Sequence, residues 1–183
     1  QRPRTLPRPD DFRFPGLSSI LAAGFLVCGT SYATALWTVA LLFFTYVLTV
    51  YITARTFFGV RTACIAATLC VFSLLQLHWN SAVYTEGLFG IMIGLLILSG
   101  GKMKNSATRW LLCGACAGAL YLVRPNGILF IPPLVYVGWR SGSSRREKLL
   151  WCGYVLGGAA VLMLPWLIRT WIRFGNPFHV AGS

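Results

Sequence analysis

The feature that most constrains this chain is a succession of long apolar runs almost free of charge. Five stretches, 33–54, 62–77, 85–98, 110–123 and 149–168, contain no basic residue and a single acidic one, Glu86. Uninterrupted apolar runs approaching 17–25 residues, roughly the length that crosses a hydrocarbon layer as helix, predict membrane spans. A further run, 127–139, is shorter and carries Pro132-Pro133, but its lack of charge and its place between two spans predict a sixth, kinked helix. The expected fold class is all-α, a polytopic transmembrane helical bundle of about six spans.

Composition supports this and excludes the main alternatives. Only 11% of residues are charged, and mean hydropathy is +0.68, whereas soluble domains carry about 25% charge. The net charge of +12 would suit nucleic acid, but the basic residues sit in the turns between apolar runs, as membrane flanks do, so no nucleic-acid partner is implied. Segment 17–27 follows Pro15-Gly16 and ends at Cys28-Gly29; it is too short to span and suits a helix lying along the interface.

The chain opens at Gln1-Arg2-Pro3-Arg4 with an Arg- and Pro-rich stretch, and Gly175-Asn176-Pro177 interrupts any helix near its end. The expected organisation is an external loop with the interfacial helix over 1–30, a transmembrane helical domain over 31–168, and the start of an external loop over 169–183. These ends predict a piece of a longer membrane protein.

The basic residues then set the topology. Arg55 and Arg61 fall in one turn, Lys102, Lys104 and Arg109 in the next but one, and Arg140, Arg145, Arg146 and Lys148 in the next but one again. The positive-inside rule makes these turns cytoplasmic. Arg2, Arg4, Arg8, Arg13, Arg124, Arg169 and Arg173 then lie on the outer side, where topology does not ask for them. That outer excess is the first functional signal.

Three groups of residues bear on chemistry. Glu86 opens an apolar helix, where a first-turn carboxylate meets the positive end of the helix dipole and Thr85 can cap it; a carboxylate at membrane depth is also a functional candidate. Arg124 closes another helix in Val123-Arg124-Pro125-Asn126-Gly127, where it can snorkel or offer planar donors to a phosphate. Arg13, Arg169, His78, Trp79 and His179 lie on the same side, and together they describe a pocket suited to an anionic lipid headgroup and a sugar face.

Other chemistries find little support. Cys113-Gly114-Ala115-Cys116 reads as a small-residue packing face. His78 and His179 lack the further ligands of a metal site, and no Gly-rich phosphate loop follows a strand. A divalent cation at Glu86 is compatible with the pattern, and no other cofactor is implied. A transporter or flippase segment for an anionic lipid, and a membrane scaffold subunit, are the alternative functional classes.

Several motifs in order, Phe12-Arg13-Phe14-Pro15-Gly16-Leu17, Ala54-Arg55-Thr56-Phe57-Phe58-Gly59, Tyr84-Thr85-Glu86-Gly87, Leu122-Val123-Arg124-Pro125-Asn126-Gly127 and Leu164-Pro165-Trp166-Leu167-Ile168-Arg169, resemble those of the GT-C membrane glycosyltransferases. The resemblance is to the bacterial branch allied to protein O-mannosyltransferases, lipid A aminoarabinose transferase and Rgt-like transferases. It implies a multi-pass enzyme of the bacterial inner membrane. Such an enzyme transfers a hexosyl or pentosyl group, with inversion, from a polyprenyl-phosphate carrier to a glycan, lipid or protein acceptor on the outer face.

The same resemblance assigns residues. Glu86 matches the family's second acidic position, a candidate catalytic group. Arg124 and Arg13 fall near the carrier phosphate, and the outer-face cluster adds Arg169 and His78 to the substrate-binding set. Asp10-Asp11 lies closer to the Pro-Gly-Leu segment than the family's base usually does, so the primary base is expected upstream, and this piece alone is expected to be inactive. Arg169-Thr170 stands where the family usually has Arg-Asn.

Overall fold

A computed structural model of the chain describes residues 15–73, 85–102 and 106–176. Within them it is all helical: α1 (Pro15–Cys28), α2 (Tyr32–Phe58), α3 (Val60–Phe72), α4 (Glu86–Lys102), α5 (Ala107–Val123), a 3₁₀ turn (Pro125–Phe130), α6 (Ile131–Ser141) and α7 (Arg145–Phe174).

Local chemistry explains the boundaries. Ser31, Ser106 and Ser144 hold extended backbones, and their hydroxyls accept from the amides of Thr34, Arg109 and Glu147 at the starts of α2, α5 and α7, each satisfying an otherwise orphaned donor. Gly59, at φ 89°, ends α2 and begins α3 in a single residue, a left-handed step that a side chain would strain. Inside α2, Thr38, Thr45 and Thr49 turn their hydroxyls onto the carbonyls of Thr34, Leu41 and Thr45 at 2.7–2.8 Å. These polar side chains therefore need no water.

By length and composition, α2 and α7 are the two described helices long and apolar enough to cross a membrane. At 1.5 Å per residue they are roughly 40 and 45 Å long. The others are shorter, and α6, with 11 residues, reaches only about 16 Å. The sixth-span expectation is thus modified: residues 125–130 wind as 3₁₀, at about 2 Å per residue, before α6 begins. Pro132 and Pro133 occupy the first turn of α6, where a missing amide costs nothing, so the change of path lies at the 3₁₀-to-α junction upstream. The run expected over 149–168 is the middle of α7, which continues to Phe174.

The hub is α5. Each of three buried clusters contains one of its residues or more: Leu17, Leu88 and Val123; Leu96, Cys113 and Leu120; Tyr121, Ala159 and Met163. Glycines let α7 lie against it closely. A Cβ on Gly118 would sit 2.7 Å from the Ala159 carbonyl oxygen, and one on Gly114 or Gly158 would overlap the facing backbone outright. Small-residue approach of this kind is how helices associate where solvent supplies no hydrophobic drive. Large apolar side chains face outward instead: Leu26 is 88% exposed, Ile172 80% and Trp37 76%, surfaces that water would not tolerate in such number but lipid would.

Candidate active site

The alternating path of α4, α5, α6 and α7 brings the first turn of α4 beside the last turn of α5. Glu86 and Arg124 are therefore neighbours despite being 38 residues apart. The backbone fixes Arg124 first. A proline after it disfavours helical geometry, and Arg124 adopts φ −149°, ψ 140° as the C-cap of α5. Its amide donates to the Leu120 carbonyl at 2.9 Å, and its own carbonyl accepts from the Gly127 amide at 2.9 Å. Gly127 must lack a side chain, because a Cβ would overlap the Leu120–Tyr121 backbone.

The side chain is then held on three sides. Nε donates to Thr85 Oγ1 at 2.8 Å, Nη2 donates to Glu86 Oε1, and the guanidinium lies 6.0 Å from the Phe89 ring centre, within cation–π range. Phe89 is itself steadied edge-on by Phe130, with ring centres 6.2 Å apart. The Arg124 side chain remains 41% exposed and that of Glu86 23%, so the pair is reachable from outside. Glu86 Oε2 is buried and has no hydrogen-bond partner among the described residues. An unpaired buried carboxylate oxygen costs roughly 1–3 kcal/mol unless a donor arrives.

Thr85 was expected as a cap for α4, and its backbone does accept from the Phe89 amide at 2.9 Å. Its hydroxyl has a second use that the sequence hid, as the acceptor that orients Arg124. Phe89 was also missed; its position three residues after Glu86, on the same helical face, was the available signal. Arg169 is placed differently from Arg124. Its guanidinium stacks on Trp166 of its own helix at 4.6 Å, and among the described residues no hydrogen bond or ion pair joins it to Glu86 or Arg124. Arg13, His78, Trp79, His179 and Asp10-Asp11 lie outside the described residues.

Glu86 is a poor cation site as it stands. One oxygen is committed to a guanidinium, and the described residues contain no group of three His, Cys, Asp or Glu side chains placed to hold a metal. Below the pair, one helical turn along α4, a groove of about 340 Å³ opens between α2 and α4, lined by Tyr46, Thr49, Thr53, Gly90, Gly94 and Ile97 among others. It is mainly apolar.

Comparison with known proteins agrees with the motifs. A family model described as dolichyl-phosphate-mannose-protein mannosyltransferase matches residues 9–169, a span that includes α1, the Glu86–Arg124 pair and most of α7. No curated protein and no solved structure gives a significant match. The family match covers most of the chain, and the chain belongs to the dolichyl-phosphate-mannose-protein mannosyltransferase family, membrane glycosyltransferases of the GT-C type.

Proposed function

We propose that the Glu86–Arg124 pair is part of the site at which a sugar passes from a polyprenyl-phosphate carrier to an acceptor hydroxyl on the outer face of the membrane. The observation that carries this reading is the pinned yet accessible guanidinium of Arg124, fixed through Nε and Nη2 with Nη1 without a partner among the described residues.

In an inverting transfer the acceptor oxygen forms a bond to the anomeric carbon as the bond from that carbon to the carrier phosphate breaks. The electron pair stays on the phosphate, which gains negative charge. A guanidinium that is already oriented stabilises that charge without reorganising. Glu86 Oε2, buried and without a partner among the described residues, can accept a hydrogen bond from a sugar or acceptor hydroxyl. Because its other oxygen is held by Arg124, we assign Glu86 to orienting that hydroxyl and assign proton removal to a second carboxylate outside the described residues.

The groove between α2 and α4 fits the isoprenoid part of the carrier, since it begins one turn from Glu86 and is walled by apolar side chains. Arg13 and His78, together with Arg169, are proposed as further contacts to the carrier phosphate and sugar. The family description supports mannose or a related hexose as the sugar. The test is to supply the intact protein in lipid with a set of polyprenyl-phosphate sugars and analyse the products by mass spectrometry. Transfer from one of them is expected; hydrolysis alone, or no reaction with any donor while the protein is folded, contradicts the reading.

A further inference from the structure

We propose that Gly16 and Leu17, at the start of α1, are positioning residues for the Glu86–Arg124 pair; their bearing on catalysis rests on the function proposed above. Neither reaches the pair. Both act on the helix ends that carry it.

Gly16 lies directly on the end of α5. A Cβ there would fall 2.8 Å from Val123 Cγ2 and 3.0 Å from both the Leu122 carbonyl oxygen and Val123 Cα. Two of those atoms are backbone, and the third belongs to a β-branched side chain with little χ1 freedom in a helix. A side chain at Gly16 therefore cannot be accommodated by a rotamer change. Either α1 lifts away or the last turn of α5 shifts, and Arg124 is the next residue along.

Leu17 provides the second contact. It is buried against Leu88 and Val123, which stand two residues after Glu86 and one residue before Arg124. A single side chain thus packs against both helices at the points from which the pair projects. Charge-assisted hydrogen bonds weaken steeply with misalignment, and displacements of about 1 Å can cost a reaction on the order of a hundredfold. The close contact at Gly16 and the wedge at Leu17 together set the spacing of Glu86 and Arg124.

The test is a double-mutant cycle on thermal stability in the intact, lipid-reconstituted protein. Glu86→Gln, Arg124→Gln and the double variant are measured in the native background and again with Gly16→Ala, with Leu17→Ala, and with Gly153→Ala, where a Cβ meets open space. The expected result is a coupling between positions 86 and 124 that falls by at least roughly half with Gly16→Ala and with Leu17→Ala but is unchanged with Gly153→Ala. Leu17→Ala introduces no clash, so it keeps the test intact if Gly16→Ala fails to fold. Undiminished coupling with Leu17→Ala, or with both variants, overturns the proposal. In transfer assays, kcat per folded molecule should fall about tenfold with either variant. If Arg124→Ala transfers sugar normally while the coupling still collapses, the seat stands and the functional reading falls.

Discussion

The Arg124 guanidinium donates to the Glu86 carboxylate across two helices, and Thr85 holds it from a second side at 2.8 Å. This triangle links the end of α5 to the start of α4, and it presents a fixed positive charge beside a carboxylate oxygen that lacks a donor among the described residues. Structure and proposed chemistry meet there, and most of the expected outcomes below concern it.

Glu86→Gln keeps the shape and removes the charge. Transfer should fall by roughly ten- to a hundredfold, mainly in kcat, because an amide orients a hydroxyl less well and leaves Arg124 less firmly held. Steady-state kinetics on protein shown to be folded and inserted checks this. An unchanged kcat would remove Glu86 from the site.

Arg124→Lys retains the charge but not the planar fork. Lysine cannot donate simultaneously to Thr85 and Glu86 with the same geometry, so the variant should recover little of the activity lost on removing Arg124. Thr85→Val, which removes only the acceptor for Nε, should cost about 1 kcal/mol of transition-state stabilisation, or roughly fivefold in kcat/KM. Parallel kcat/KM measurements on the two variants separate the value of the charge from that of its orientation.

Much of this arrangement was legible before any coordinates. The charge-poor runs gave the helices, and the alternating basic turns placed Glu86 and Arg124 at the same end of the bundle. The Pro125-Asn126-Gly127 break correctly marked where α5 stops. Packing was harder to foresee. The Arg124–Thr85 bond depends on how closely α4 approaches α5, which no local spacing encodes. Gly16 stood just before the expected helix with no role of its own, and its contact with Val123 emerges only when two distant segments meet in space. Arg169 shares its sign and expected side with Arg124, but helical register turns it onto Trp166.

The proposed seating of the carrier chain in the groove between α2 and α4 has its own consequence. Ile97 lines that groove and is 46% exposed, so Ile97→Trp should obstruct it without disturbing a packed core. KM for a long polyprenyl donor should rise several-fold, while KM for a donor carrying only a few isoprene units should change little, since each buried CH₂ is worth about 0.8 kcal/mol. Equal effects on both donors would place the chain elsewhere.

At the opposite end of the bundle, Glu147 accepts from the Ser143 hydroxyl at 2.6 Å and the Ser143 amide at 2.9 Å, closing the start of α7. These bonds, with one from the Ser144 amide, hold its carboxyl below the ordinary value of 4.5. A carboxylate lowered in the folded state stabilises above its unfolded value and loses that contribution as pH falls through the lowered one. Glu147→Gln should therefore lower the thermal midpoint slightly at neutral pH, with the difference from the native protein shrinking below about pH 4.5. A difference independent of pH would show that the carboxylate contributes nothing through its charge.

Gly158→Leu should damage the bundle strongly, because its Cβ would overlap the Leu111 carbonyl across the α5–α7 contact. The expected cost is upward of about 1–3 kcal/mol of stability, read as a lower thermal midpoint in detergent, whereas Gly157→Leu, facing open space, should be nearly neutral.

The most direct test of the central claim is sugar transfer by the intact protein from a polyprenyl-phosphate donor, comparing the native chain with Arg124→Ala, each reconstituted in lipid and shown to be folded. Product is expected from the native protein, with a fall of roughly a hundredfold or more in kcat for the variant, the scale associated with losing a donor aimed at developing charge. Transfer by Arg124→Ala at the native rate would contradict the assignment of this guanidinium to the leaving phosphate.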